Sequence, residues 1–163
     1  MLSRRITFAD LAAVGRVDRH RLRNLLKDFP EFAQRPASER VASEYTLHDL
    51  TVVAVLCELD RMGFRKEAIA KWMSPIQQAL HGPRSINGLQ LFLTSDPPKA
   101  SLVDRQFFPG AGVVVDLDRA LSVVDSHCSG LEGDREQQRD LDFGPTSVAV
   151  SQAVRTTRGR SHG

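Results

Sequence analysis

The chain has 163 residues and a mass of 18.1 kDa, enough for one or two small domains with a real core. Its 22 Lys and Arg face 20 Asp and Glu, and a net charge of +2 singles out no class of charged partner. Cys57 and Cys128 lie far apart without a CxxC neighbour, no apolar run reaches the roughly 18 residues of a membrane helix, and MLSRRITFAD has no signal-peptide core. A disulfide framework, a zinc site and a membrane span are therefore excluded, and a reduced, cytoplasmic location is expected.

The charge is unevenly placed. Residues 1–40 hold nine Lys or Arg against five acids, an excess larger than the net charge of the whole chain. Within them, TFADLAAVGRVDRHRLRNLLK (7–27) predicts two short helices around a tight turn. Thr7 and Asp10 have capping-box spacing, and Phe8, Leu11 and Ala12 share one helical face. Gly15 stands where a left-handed residue would end the first helix, and Asp18 caps the second. On the second helix Leu22, Leu25 and Leu26 form an apolar stripe. At about 100° per residue His20, Arg23, Asn24 and Lys27 fall opposite it, with Arg19 and Arg21 at its flanks. One face suits a core and the other an anion with hydrogen-bonding groups. That is the helix-turn-helix pattern, whose second helix enters the major groove of DNA. A surface pair of helices with solvated charges has the same signature.

Residues 28–45 carry Pro30 and Pro36, which argue against a continuing helix. A loop or short hairpin with Arg35 and Arg40 near its tip fits, either a wing over a phosphate backbone or a plain connector. Thr46 to Met62 predicts the central core helix. Thr46 and Asp49 form a second capping box. Leu50, Val53, Ala54 and Cys57 make one stripe and Val52, Val55, Leu56 and Leu59 another, so the helix is apolar on two sides. Gly63 stops it, and Phe64 can pack over its end. A further helix starts near Arg65, with Ile69, Trp72, Met73, Ile76 and Leu80 on one face. Pro75 predicts a kink or a new short helix there. Core is the favoured reading of that face, and a partner or dimer surface the other.

Composition changes at Gly82-Pro83. Leu89–Thr94 suits a strand ended by Asp96-Pro97-Pro98, and Val113–Val115 suits a second. Asp118 is expected to start a helix aligning Leu117, Ala120, Leu121 and Val124. Asp116 and Asp118 carry no accompanying catalytic motif, and capping explains them. From residue 129 the chain is polar and poor in large apolar residues. Disorder is expected to 163, with a transient helix at 148–154 and solvated Arg155, Arg158 and Arg160.

These pieces, in this order over residues 6–73, resemble the N-terminal winged-helix domain of MerR-type transcription regulators. Leu11-Ala12 matches the family's first-helix pair. Val17-Asp18 and Leu22-Arg23 match its recognition helix, and Tyr45, Thr46, Asp49 and Leu50 the step after the wing. Met62-Gly63-Phe64 with Glu67-Ala68-Ile69 match the next helix boundary. The chain departs from the family at Asn24-Leu25, where aromatic residues are usual, and at Ser43-Glu44-Tyr45, where the wing ends in arginine-tyrosine. Pro75, Gly82 and Pro83 exclude the long coiled-coil helix that follows the domain in the family, and the metal-sensing cysteines are absent.

The expected architecture is mainly α. It has a winged helix-turn-helix in residues 1–82, a small α+β unit in 83–128 for a partner or oligomer, and a largely disordered tail in 129–163. The resemblance implies a sequence-specific double-stranded DNA-binding regulator, bacterial or phage, and a homodimer. Its DNA-contacting residues would be Arg16, Arg19, His20, Arg23, Asn24, Lys27, Arg35, Arg40 and Tyr45. No metal, cofactor or catalysis is expected, since no nucleophile–base pair or ligand cluster is present. Two alternatives stand beside this. One is a phage architectural or DNA-packaging binder of the excisionase or small-packaging-subunit type. The other is a protein-interaction module that has lost DNA binding.

Overall fold

A computed structural model describes residues 5–33, 45–82, 89–106 and 110–139, with side chains described as far as residue 130. The elements in order are α1 (Phe8–Gly15), α2 (Arg19–Leu26), α3 (Pro30–Ala33), α4 (Leu47–Arg61), α5 (Lys66–His81), β1 (Leu89–Ser95), β2 (Pro98–Asp104), β3 (Val113–Asp116) and α6 (Leu117–Arg139). The described chain is helix-rich with one small three-stranded antiparallel sheet. None of its helices is long and apolar enough to cross a membrane.

Everything packs around α4. Leu50, Val52, Val53, Val55, Leu56, Cys57 and Leu59 are fully buried, because α1, α5 and α6 all lie against this helix. Its start is fixed by the expected capping box. The Asp49 carboxylate accepts the Thr46 N–H at 2.7 Å, and the Thr46 hydroxyl accepts the Asp49 N–H at 3.1 Å. Its end is a glycine stop with Gly63 at φ 90°. There Phe64 N–H reaches the Leu59 carbonyl at 3.2 Å, and Gly63 N–H reaches that of Asp60 at 3.0 Å.

Two of the expected proline sites carry more helix than expected. The helix does not continue into Pro30, since α2 ends at Leu26, but Pro30 opens a short new helix, α3, in a stretch expected to be loop or hairpin, and its missing N–H costs nothing there. Pro75 neither ends α5 nor restarts it, and the helix runs on to His81. The hydrogen bond that Pro75 cannot make would have gone to the carbonyl of Lys71, an exposed residue, while buried Trp72, Met73 and Ile76 clamp both sides of the proline onto the core. That stripe is covered by the chain's own sheet, β2 and β1, so it is core and not a free dimer face. The Trp72 indole N–H donates to the Thr94 carbonyl at 2.6 Å.

The sheet order is β2-β1-β3. Its register sets Leu91 opposite Leu102 and Val115, and Leu93 opposite Ala100 and Val113. Strand alternation therefore turns Leu91, Leu93 and Val115 together into the core. Strand β2 was not expected. Asp96-Pro97 is the hairpin turn, and Pro98 opens the next strand, at an edge position that requires no N–H.

Helix α6 corrects two expectations. Its cap is Asp116, not Asp118. The Asp116 carboxylate accepts the N–H of Asp118 at 3.1 Å and that of Arg119 at 3.4 Å. The helix also continues past residue 128 to Arg139, so the expected disorder does not begin at 129. Leu117, Ala120 and Val124 anchor its first turns, and a helix already nucleated extends at little further cost through residues such as Leu, Glu, Gln and Arg. The remainder of the tail, 140–163, lies outside the described residues. The small α+β unit is present, but its core is not separate. One hydrophobic cluster runs from Ile6 and Leu11 through α4 to Leu91, Val115 and Val124, across the expected boundary at 82.

Candidate nucleic-acid interface

The first helix is held at both ends. One Asp10 carboxylate oxygen accepts the Thr7 N–H and the Thr7 hydroxyl, each at 2.7 Å, and the other lies 3.0 Å from His127 Nε2. At the far end the left-handed residue is Arg16, at φ 53° and ψ 42°, and not Gly15 as expected. Gly15 remains helical and serves a different need. A Cβ there would stand 2.7 Å from Cys57 Sγ, so the missing side chain is what lets α1 seat on α4.

Asp18 caps α2 as expected, accepting the Arg21 N–H at 2.8 Å, and that bond holds its carboxyl below the usual carboxylate range. Leu22, Leu25 and Leu26 are buried. Arg19, His20, Arg23, Asn24 and Lys27 are all exposed, so the structure brings these five expected residues together on one surface helix. None of Arg19, Arg23 and Lys27 has a carboxylate partner among the described residues. His20 and Asn24 face each other one turn apart, with Nε2 and Nδ2 at 3.1 Å. The Arg23 guanidinium lies 5.8 Å from the centre of the Phe8 ring, which in turn lies 6.4 Å from that of Tyr45. Tyr45 is half-buried, and its N–H donates to the Ile6 carbonyl at 3.2 Å in a single antiparallel bridge. That bridge carries the chain back beside the start of α1. Arg35 and Arg40, with the segment expected to form the wing, lie outside the described residues. Arg16 is exposed but lines a separate shallow recess with Glu58, Arg61 and Arg119.

Three residues that fix the interface were not assigned to it from sequence. Arg21 does not join the exposed cationic face. Its Nε and Nη2 donate to Asp60 at 3.1 and 2.7 Å, tying α2 to α4, and that carboxylate raises its already high pKa. Lys66, at the start of α5, donates to the Asn24 carbonyl and stands 3.6 Å from Asp28. Arg61 donates to the Gly15 carbonyl at 2.5 Å and pairs with Glu58. Exposed ion pairs of this kind add little to stability, so their main effect is to orient the helix. Pairs between residues some forty positions apart leave no local pattern by which a sequence could reveal them.

Among the described residues no three His, Cys, Asp or Glu side chains are grouped to hold a metal ion. Compared with protein-family models, with curated proteins and with solved structures, the chain finds no match. The likeness to MerR-type regulators therefore rests on the residues quoted for it.

Proposed function

We propose that the chain is a sequence-specific double-stranded DNA-binding protein of winged helix-turn-helix type, a bacterial or phage transcription regulator in which α2 enters the major groove. One observation supports this reading most: α2 buries three leucines and turns Arg19, His20, Arg23, Asn24 and Lys27 outward, and of the cations here only Arg21 is paired with a carboxylate among the described residues. A B-DNA major groove is about 12 Å wide and admits one helix. Arg19, Arg23 and Lys27 hold backbone phosphates, which position the helix without reading sequence. His20 and Asn24 meet base edges, where the Asn24 amide suits adenine N6 and N7. Arg16, and Arg35, Arg40 and Tyr45 from the wing segment, add contacts along the backbone. The protein acts as a homodimer on a palindromic site, with residues 83–128 serving the second copy or another protein partner.

Selection of bound sequences from random duplex DNA tests this directly, followed by two variants. Arg23→Ala weakens binding to every sequence and flattens the plot of log affinity against log salt by about one unit. Asn24→Ala costs roughly 1–3 kcal/mol on the preferred site alone and leaves the salt slope unchanged. If both variants fold and bind DNA as the parent does, α2 is not the DNA surface, and the interaction-module reading replaces this one.

A further inference from the structure

We propose that the DNA footprint does not end at α2 but runs through Arg16 onto α6, where Arg119 holds a backbone phosphate beside the groove. This rests on the reading of α2 above and extends it to the second half of the chain. Three elements converge on one shallow recess: Arg16 from the turn before α2, Glu58 and Arg61 from α4, and Arg119 from α6. Three arginines and a single carboxylate thus line one recess. Glu58 is in contact with Arg61, and its second oxygen is 3.9 Å from Arg119, beyond hydrogen-bonding distance. Arg61 is further occupied by the Gly15 carbonyl. Nearby acids do not make up the deficit. Asp60 is taken by Arg21, and Asp116 and Asp118 at the head of α6 both face Arg105, at 3.1 and 3.3 Å. Arg16 has no carboxylate partner among the described residues, and the Arg119 side chain is 63% exposed.

Two further observations point to duplex backbone as the occupant. The recess adjoins the N-terminal end of α2, because Arg61 grips the carbonyl of Gly15 and Arg21 ties α2 to the neighbouring turn of α4. A helix lying in the major groove has phosphates beyond its ends, within reach of arginines placed there. A guanidinium meets a phosphate with two parallel N–H bonds, which suits Arg more than Lys. The second observation is the backbone of Arg16. Its left-handed conformation is unfavourable for an L-residue, and glycine would adopt it freely. The residue at this position is a long cation that lines the recess. The recess is open and shallow, which does not favour a small anion that needs enclosure.

The test uses the full chain and fluorescently labelled duplexes, titrated at several salt concentrations. Arg119→Gln and Arg16→Gly each weaken binding to all sequences, reduce the salt slope by about one unit, and leave the preferred site unchanged. Arg16→Gly keeps the left-handed turn, so its thermal stability stays at or above the parent's. Glu58→Gln removes the carboxylate that competes for these arginines and tightens binding. If Arg23→Ala weakens binding while Arg16→Gly and Arg119→Gln bind as the parent does, the footprint stops at α2: this proposal falls together with the Arg16 contact, and the reading of α2 stands. Protection of the recess by millimolar inorganic phosphate, without loss of DNA affinity in the variants, makes it a small-anion site and also overturns the proposal. A parent chain that binds no duplex overturns both readings.

Discussion

The imidazole of His127 stands 3.0 Å from the carboxylate of Asp10, a residue 117 positions away that is buried in the cap of α1. The contact joins the last described helix to the first helix of the candidate interface. It gives a carboxylate shut away from water a partner, and such a group loses more when a partner is removed than an exposed one does.

His127→Ala is therefore expected to destabilise the chain by about 1–3 kcal/mol in urea unfolding. His127→Gln, which keeps a donor at similar reach, recovers part of the loss. DNA affinity of the folded protein stays unchanged, since the contact lies off the proposed footprint. Identical midpoints for parent and His127→Ala would show that the pair contributes nothing to stability.

The close approach of α1 to α4 at Gly15 makes a steric prediction. Alanine there gains up to about 1 kcal/mol of helix propensity, while overpacking a closed core costs about 1–3 kcal/mol. Because Cys57 is fully buried and its Sγ would lie 2.7 Å from the new methyl, the cost outweighs the gain and Gly15→Ala melts lower. In the Cys57→Ala background the nearest Cys57 atom is the Cβ at 3.6 Å, an ordinary contact, so Gly15→Ala should be tolerated there. Strictly additive single and double variants would contradict this.

Burial pushes the Cys57 thiol up to about 12, with Arg61 pulling weakly the other way. An acid whose pKa is raised on folding stays protonated in the folded state while the unfolded chain ionises. Its contribution is fully present below the unfolded value, near pH 8.5–9, and is lost as pH rises toward the folded one. Stability should fall by about 1.4 kcal/mol per pH unit through that window on this account. Denaturant midpoints from pH 8 to 10.5 should fall less steeply for Cys57→Ala than for the parent. Parallel curves would rule the thiol out as the cause.

A chain cut after residue 82 leaves α5 without the sheet, and α1 and α4 without the cover of α6. Composition alone makes residues 1–82 look self-sufficient, but the shared core predicts a fragment with a lower melting temperature and dye-binding apolar surface. Circular dichroism melts of fragment and full chain decide this, and equal midpoints would mean that the sheet is an accessory layer.

Local physics was legible, and remote pairing was not. The start and stop of α4 at Thr46, Asp49 and Gly63 depend on residues within one turn, so their spacing reveals them. The same holds for the two faces of α2. The left-handed end of α1 was misplaced by one residue because Gly15, the favoured type, sits beside Arg16, which adopts it. Strand β2 was missed because an edge strand with Pro98, Lys99 and Ser101 has little alternation to detect. The far end of helix α6 has few apolar residues after Cys128 and so little periodicity to detect, although a helix nucleated by its packed first turns is readily extended. Arg21 with Asp60 and His127 with Asp10 arise only when the helices have docked.

Trp72 has a consequence of its own. It is the only tryptophan in the chain, 3% exposed, edge-on to Phe64 and hydrogen-bonded to β1 through Thr94. The protein thus carries an intrinsic fluorophore seated at the joint between its helices and its sheet. Its emission is expected to be that of a shielded indole and to move to the red when the sheet lifts away, even while helical dichroism persists. Emission and dichroism followed through one unfolding experiment would separate loosening of the joint from melting of the helices, with no label attached.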